Sequence, residues 1–92
     1  MEKKLQQKIA KLCKDHAMIC YKVHAEGVVG FPDLFIAGSG RVVLVECKHP
    51  GKTGRLRPGQ KRRIAELREA QVEVYVIDDY EEAKKLIEGW VE

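Results

Sequence analysis

Two short apolar runs, Leu34 to Ala37 and Arg41 to Cys47, stand on either side of Gly38-Ser39-Gly40. Both are rich in β-branched residues and the segment between them is turn chemistry, so the sequence predicts strand, tight turn, strand. Side chains alternate faces along a strand, which puts Val42, Leu44, Glu46 and Lys48 on one side and Val43, Val45 and Cys47 on the other. A loop with an even number of residues, either Ser39-Gly40 alone or Gly38 to Arg41, sets Asp33 directly opposite Glu46. Carboxylates opposed in this way lie about 4.5–5.5 Å apart at Cβ and repel. A divalent cation removes the repulsion: magnesium binds oxygen at about 2.0–2.1 Å through one or two carboxylates and completes its shell with water and phosphate. Lys48, on the same face, adds positive charge where an attacking hydroxide or a developing phosphoryl charge would use it. Singly, each of these charges has an ordinary explanation at a strand edge or in a solvated ladder. Together they interrupt the most hydrophobic run in the chain.

A Pro-Asp, a short hairpin and a Glu-x-Lys resemble the signature of the PD-(D/E)xK nuclease superfamily. The extended pattern, Gly30-Phe31-Pro32-Asp33-Leu34, then Val45-Glu46-Cys47-Lys48-His49-Pro50-Gly51-Lys52, then Gln60, resembles more specifically the VRR-NUC family in its small stand-alone form. The resemblance covers the chain from about residue 2 to residue 88. It implies metal ligation by Asp33, Glu46 and the Cys47 backbone carbonyl. It also implies a further carboxylate near the start of the first helix, where Glu2 stands. Gln60 matches a family glutamine that contacts the site or the substrate phosphate. Where the family commonly has glycine after the second helix, this chain has Gln71.

The net charge of +3 is unevenly distributed. Lys48, Lys52, Arg55, Arg57, Lys61, Arg62 and Arg63 follow one another without an acid, and the remainder of the chain is net acidic. A basic stretch that begins at the candidate site fits a phosphate backbone, so His49, Lys52, Arg55, Arg57, Lys61, Arg62 and Arg63 are the expected DNA contacts. Gly51-Lys52-Thr53 resembles the end of a P-loop, but the first glycine of that motif would fall where Glu46 stands, so no nucleotide cofactor is expected. No run approaches the roughly 18 apolar residues of a membrane span, and the N-terminus lacks the apolar stretch of a signal peptide, so a cytoplasmic address is expected. Cys13, Cys20 and Cys47 lack metal-ligand spacing and read as reduced, packed thiols.

Along the chain, residues 2 to about 19 read as an amphipathic helix with Leu5, Ile9, Leu12, Cys13, His16 and Ala17 on its inward stripe. Glu2 sits at the N-terminal end of that stripe, where the helix dipole alone would also favour an acid. Cys20 to His24 read as a strand. His16 and His24 have no neighbours that would make them general bases, and Glu26 reads as a loop charge. Pro32 fits the first position of a strand. Pro58 opens a helix to about Ala70 with Gln60, Ile64 and Leu67 on one face and Lys61 and Arg62 turned away. Val72 to Ile77 is a strand, Asp78 or Asp79 caps the next helix, and Tyr80 to Gly89 is helical. A chain of 92 residues is expected to form one domain, residues 1–92. The order is α-β-β-β-α-β-α, the α/β restriction-endonuclease-like core of the resemblance, with a mixed four-stranded sheet flanked by helices.

The functional expectation is a magnesium- or manganese-dependent DNA endonuclease. Asp33, Glu46, Lys48 and Gln60 are its catalytic set, and Glu2, Asp33, Glu46 and Cys47 its metal set. The resemblance to small VRR-NUC proteins further implies a homodimer that resolves four-way DNA junctions, with the first helix and Trp90 as candidate dimer faces. A nuclease for flaps or duplex, and a non-catalytic nucleic-acid-binding module, are the alternatives.

Overall fold

The computed structural model describes residues 2–49 and 55–90, and of residue 2 the backbone only. The elements are α1 (Glu2–Asp15), β1 (Ile19–Lys22), β2 (Leu34–Gly38), β3 (Arg41–Cys47), α2 (Pro58–Glu69), β4 (Glu73–Ile77) and α3 (Tyr80–Trp90). The sheet order is β1-β2-β3-β4, with β1, β2 and β3 antiparallel and β3 parallel to β4. This is the mixed four-stranded sheet expected.

The β2–β3 turn explains the register. Ser39 and Gly40 both have positive φ, 50° and 76°, as a two-residue hairpin loop of type I′ requires. Gly38 therefore faces Arg41, and the ladder runs to Leu34 opposite Val45. One further step brings Asp33 opposite Glu46. On the other side, the Lys48 amide donates to the Ile77 carbonyl at 2.9 Å, which carries the β3–β4 ladder past the last strand residue and keeps Glu46 and Lys48 on one face.

Each face of the sheet has its own apolar cluster. Leu5, Ile9, Leu12 and Cys13 of α1 and Ala83 and Ile87 of α3 pack on Leu34, Ile36, Val43, Val45, Cys47 and Ile77. On the opposite face Ile64 of α2 packs with Leu44 and Val74, joined by Phe31, Phe35, Leu67 and Val76. Burying each large aliphatic side chain contributes about 1.5–3 kcal/mol, so the first cluster supplies most of the apolar stabilisation. The second face is where Glu46 and Lys48 emerge.

The boundaries that differ most from expectation are those of the first helix and the first strand. The first helix ends at Asp15, and β1 covers Ile19–Lys22 in place of Cys20 to His24. The cause is a Schellman turn: the Met18 amide donates to the Cys13 carbonyl at 2.8 Å and the Ala17 amide to the Lys14 carbonyl at 3.1 Å. Ala17 takes the left-handed conformation, φ 57°, that glycine usually fills. Ala17 is thereby exposed and off the inward stripe, and His16 is half-buried. The same device ends α2, where Gln71 has φ 68° and the Val72 amide reaches the Leu67 carbonyl at 2.9 Å. Glutamine here takes up the turn that glycine fills elsewhere. Pro32 is fully buried, and Asp33 immediately precedes β2, with its carbonyl accepting from the Val23 amide at 2.8 Å. The Glu81 amide donates to Asp79 Oδ1 at 3.3 Å, which makes Asp79 the residue that caps α3. Trp90 folds back on the hairpin and donates from Nε1 to the Gly38 carbonyl at 3.1 Å, so its half-buried ring is a packing element of the monomer.

Candidate active site

The site is built at the end of the hairpin remote from its turn. Asp33 comes from the lead-in to β2, Glu46 from β3, Lys48 from just beyond β3, and Gln60 from the first turn of α2. Asp33 Oδ2 accepts the Cys47 backbone N–H at 3.0 Å, which ties the two strands together at the carboxylates. Glu46 is 3 % exposed and Lys48 9 %, values that charged residues reach only where partners surround them.

Gln60 is the principal partner. Its Nε2 donates to Glu46 Oε2 at 2.9 Å, and its Oε1 accepts from Lys48 Nζ at 2.8 Å. Lys48 Nζ lies 3.6 Å from Glu46 Oε2, so the amide stands between the two charges and bonds both more closely than they bond each other. Oε1 also accepts the Arg57 backbone N–H at 2.9 Å. That bond is half of a capping box: Arg57 is the N-cap, Gln60 the third helical residue, and a guanidinium has no acceptor with which to complete the other half. These contacts fix the orientation of the amide, because exchanging its oxygen and nitrogen would aim an NH2 group at an ammonium and a carbonyl at a carboxylate. Gln60 thus joins the helix start, the base and the acid in one network.

The seating of α2 depends on a contact that the sequence did not disclose. Gly30 has φ +80°, and a Cβ there would lie 2.5 Å from the Gly59 carbonyl carbon and oxygen and 2.7 Å from the Gln60 nitrogen. The backbone before Phe31-Pro32-Asp33 therefore abuts the first turn of α2 directly. Arg63 Nε donates to the Val29 carbonyl at 3.3 Å, and its Nη1 pairs with Glu66 at 2.8 Å. Arg63, one of the expected DNA contacts, has its guanidinium engaged here with the loop and with Glu66, which fastens α2 to this segment. A glycine ahead of the Phe-Pro-Asp was the one signal available, and nothing in the sequence names its partner.

Among the other expected residues, Arg55, Arg57, Lys61 and Arg62 are exposed and His49 is half-buried. Lys52 and the side chain of Glu2 lie outside the described residues. His24 and Glu26 are exposed in the loop after β1. Among the described residues no three His, Cys, Asp or Glu side chains cluster as a metal site. Asp33 Oδ2 is bonded to the Cys47 amide, and the hairpin register sets Asp33 across from Glu46, so this strand end offers carboxylate oxygens, the donor type that magnesium and manganese take. The Cys47 side chain is buried in the opposite cluster, so no thiolate is offered to a softer metal.

An α-β-β-β-α-β-α core with two carboxylates, a lysine and a glutamine gathered at one sheet end defines a restriction-endonuclease-like nuclease domain. The VRR-NUC domain model matches residues 1–78. A solved structure described as a VRR_NUC domain is 27 % identical, covers 95 % of this chain and 94 % of its own, and superposes with a TM-score of 0.84. No curated protein matches the chain. The chain belongs to the VRR-NUC domain family, a nuclease-type domain whose partner is DNA.

Proposed function

We propose that this domain is a metal-dependent, structure-specific DNA endonuclease that resolves four-way junctions as a symmetric dimer, within the cytoplasm and in the service of recombination or repair. The observation that carries the reading is the Gln60 amide held between a buried glutamate and a buried lysine, with Asp33 bound to the same strand end. A buried ion pair is weak evidence for stability, since an apolar pair of like volume is often as good or better. Its presence where the sheet end meets a basic stretch supports the reading of this network as a site.

Asp33, Glu46 and the Cys47 carbonyl would hold magnesium or manganese. The bound cation supplies Lewis acidity toward a phosphate oxygen and lowers the pKa of water. The protein groups have separate tasks. Lys48 places a fixed positive charge beside the reacting phosphate and orients the attacking water. Gln60 holds Lys48 and Glu46 in register, so that neither needs to reorganise during the reaction. Arg55, Arg57, Lys61 and Arg62 grip the backbone without reading bases. A junction offers two strands to cut, and a twofold dimer brings one such site to each.

Comparing a labelled four-way junction, a flap and a linear duplex at one enzyme concentration tests the reading. Paired symmetric cuts in the junction alone, dependent on added metal, are the expected result. Cutting of flap or duplex at equal rate would remove the junction preference while keeping the nuclease. Binding without cutting under magnesium or manganese would leave a non-catalytic DNA-binding module.

A further inference from the structure

The described residues cover only half of the α2 face of the sheet. Helix α2 packs over β3 and β4 through Leu44, Val74 and Val76, whereas among the described residues the β1–β2 half of the same face carries no helix. The register gives the side chains there as rows across the strands. Ile19 pairs with Ala37, which pairs with Val42; Tyr21 pairs with Phe35, which pairs with Leu44. Ile19 is 48 % exposed, Tyr21 64 % and Val42 46 %. The row next to Tyr21 and Phe35 on the same face is that of Asp33 and Glu46. Asp33 is two residues before Phe35, about 7 Å along the strand.

The two rings stack on each other. Tyr21 and Phe35 lie stacked, with centroids 6.4 Å apart and planes 16° from parallel. Phe35 is anchored in the α2 cluster, and Tyr21 lies beside it at the sheet edge. An open aromatic surface one row from the proposed phosphate-cleaving centre suits a flat, polarisable group attached to that phosphate. We propose that Tyr21, supported by Phe35, is a stacking platform for an unpaired base of the DNA next to the scissile phosphate. The inference rests on the nuclease reading and gives it a specificity element: base stacking tolerates any sequence but requires a base that has left the duplex.

The position of the row argues for a base over a second copy of the chain as occupant. A protein seated on Tyr21 and Phe35 would stand against the Asp33–Glu46 row and obstruct a polymer that must reach it. The exposed cations Arg55, Arg57, Lys61 and Arg62, before and along the start of α2, suit a polyanion on this side of the molecule.

The test is binding of the full chain, in chelator so that no cleavage is required, to splayed-arm DNA in which a single abasic residue is stepped along the unpaired arm. Wild type, Tyr21→Ala and Tyr21→Trp are compared by fluorescence anisotropy, with sedimentation of each protein alone. Wild type is expected to bind the intact arm at least about fivefold more tightly than the DNA abasic at one particular position. Tyr21→Ala should lose that preference, and Tyr21→Trp should keep it. A wild type indifferent to the abasic residue at every position overturns the proposal, as does a Tyr21→Ala protein that discriminates as well as wild type. Equal weakening on intact and abasic DNA, together with a lower sedimentation coefficient for Tyr21→Ala, overturns it in favour of a second copy on this face. Metal-dependent cleavage that needs Asp33 but shows no base preference would remove the platform alone. Absence of any DNA binding or cleavage would remove the platform and the nuclease reading together.

Discussion

Strand β3 has a charged network at each end, and the two are built on opposite terms. At its start Arg41 forks onto Glu73 with contacts of 2.6 and 2.8 Å, reaches the Tyr75 hydroxyl at 3.3 Å, and lies 4.8 Å over the Trp90 ring. Both charged side chains keep more than a third of their surface in water, 35 % and 41 %. At its finish Glu46 and Lys48 are buried, stand farther apart, and are joined through a neutral amide. The first network has short direct contacts in a wet setting, the arrangement of a structural tie of modest worth. The second removes two charges from water with a direct contact of only 3.6 Å, an arrangement that costs stability. A pair built this way is weak evidence of a role in folding, and with Asp33 beside it supports the site proposed for this strand end.

Exchanging the two networks' charges for neutral groups should give the largest contrast. Glu46→Gln, or Lys48→Met, is expected to lower the cleavage rate by about 10²–10³-fold or more. The pair Arg41→Met with Glu73→Gln should leave the rate within about twofold and lower stability by roughly 1 kcal/mol or less. Single-turnover cleavage and urea melts of the same preparations separate these effects. Comparable rate losses at both ends would dissolve the distinction. Conversely, Glu46→Leu combined with Lys48→Met should be inactive yet as stable as wild type or more so, by up to about 4 kcal/mol.

Next in size is Gly30→Ala. A methyl group meeting the Gly59 and Gln60 backbone at 2.5–2.7 Å must push α2 away from the site. The expected loss of stability is about 1–3 kcal/mol, read from the urea midpoint. Catalysis should fall beyond what unfolding explains, since Gln60 moves with the helix. A fully active, destabilised Gly30→Ala protein would show that the buried network tolerates movement of its amide.

The basic stretch has a smaller and differently shaped signature. Arg57→Ala with Arg62→Ala should weaken DNA binding and reduce the slope of log affinity against log salt by about 2. Arg63→Ala should change that slope less and stability more, because Arg63 is engaged with Val29 and Glu66. Reversal of that order would return Arg63 to the DNA-contacting set.

The smallest effect belongs to acid. The Arg41 hydrogen bonds hold the Glu73 carboxyl below its ordinary value of 4.5. A carboxylate lowered in the folded state contributes stability that is present above the unfolded pKa and disappears as pH falls through the folded one. Melting temperatures should therefore drop less steeply below about pH 4.5 in Arg41→Met than in wild type, by a small margin because the pair is half-exposed. Parallel acid limbs for the two proteins would show that the tie contributes nothing measurable.

These comparisons also mark what can be read from residues alone. The hairpin was legible in Gly38-Ser39-Gly40, and either even-numbered loop there puts Asp33 across from Glu46; the positive φ of Ser39 and Gly40 then selects the two-residue loop. The inward face of α2 followed from the spacing of Gln60, Ile64 and Leu67. The end of α1 was not legible, because Ala17 performs a glycine's task and leaves no punctuation in the sequence. The abutment of Gly30 on Gly59, the bond of Arg63 to a loop carbonyl and the inward turn of Trp90 were hidden for a common reason. Each is a contact between segments distant in the chain, and neither partner carries a sign of the other.

The most direct test of the central claim is cleavage of a labelled four-way junction by wild type and Asp33→Asn over a range of magnesium and manganese concentrations, with chelator as the blank and Glu73→Gln as the control from the other end of β3. The account predicts metal-dependent cutting by wild type and Glu73→Gln, and none by Asp33→Asn despite retained binding. Cutting by Asp33→Asn at the wild-type rate, or wild-type binding with no cutting in either metal, would contradict it.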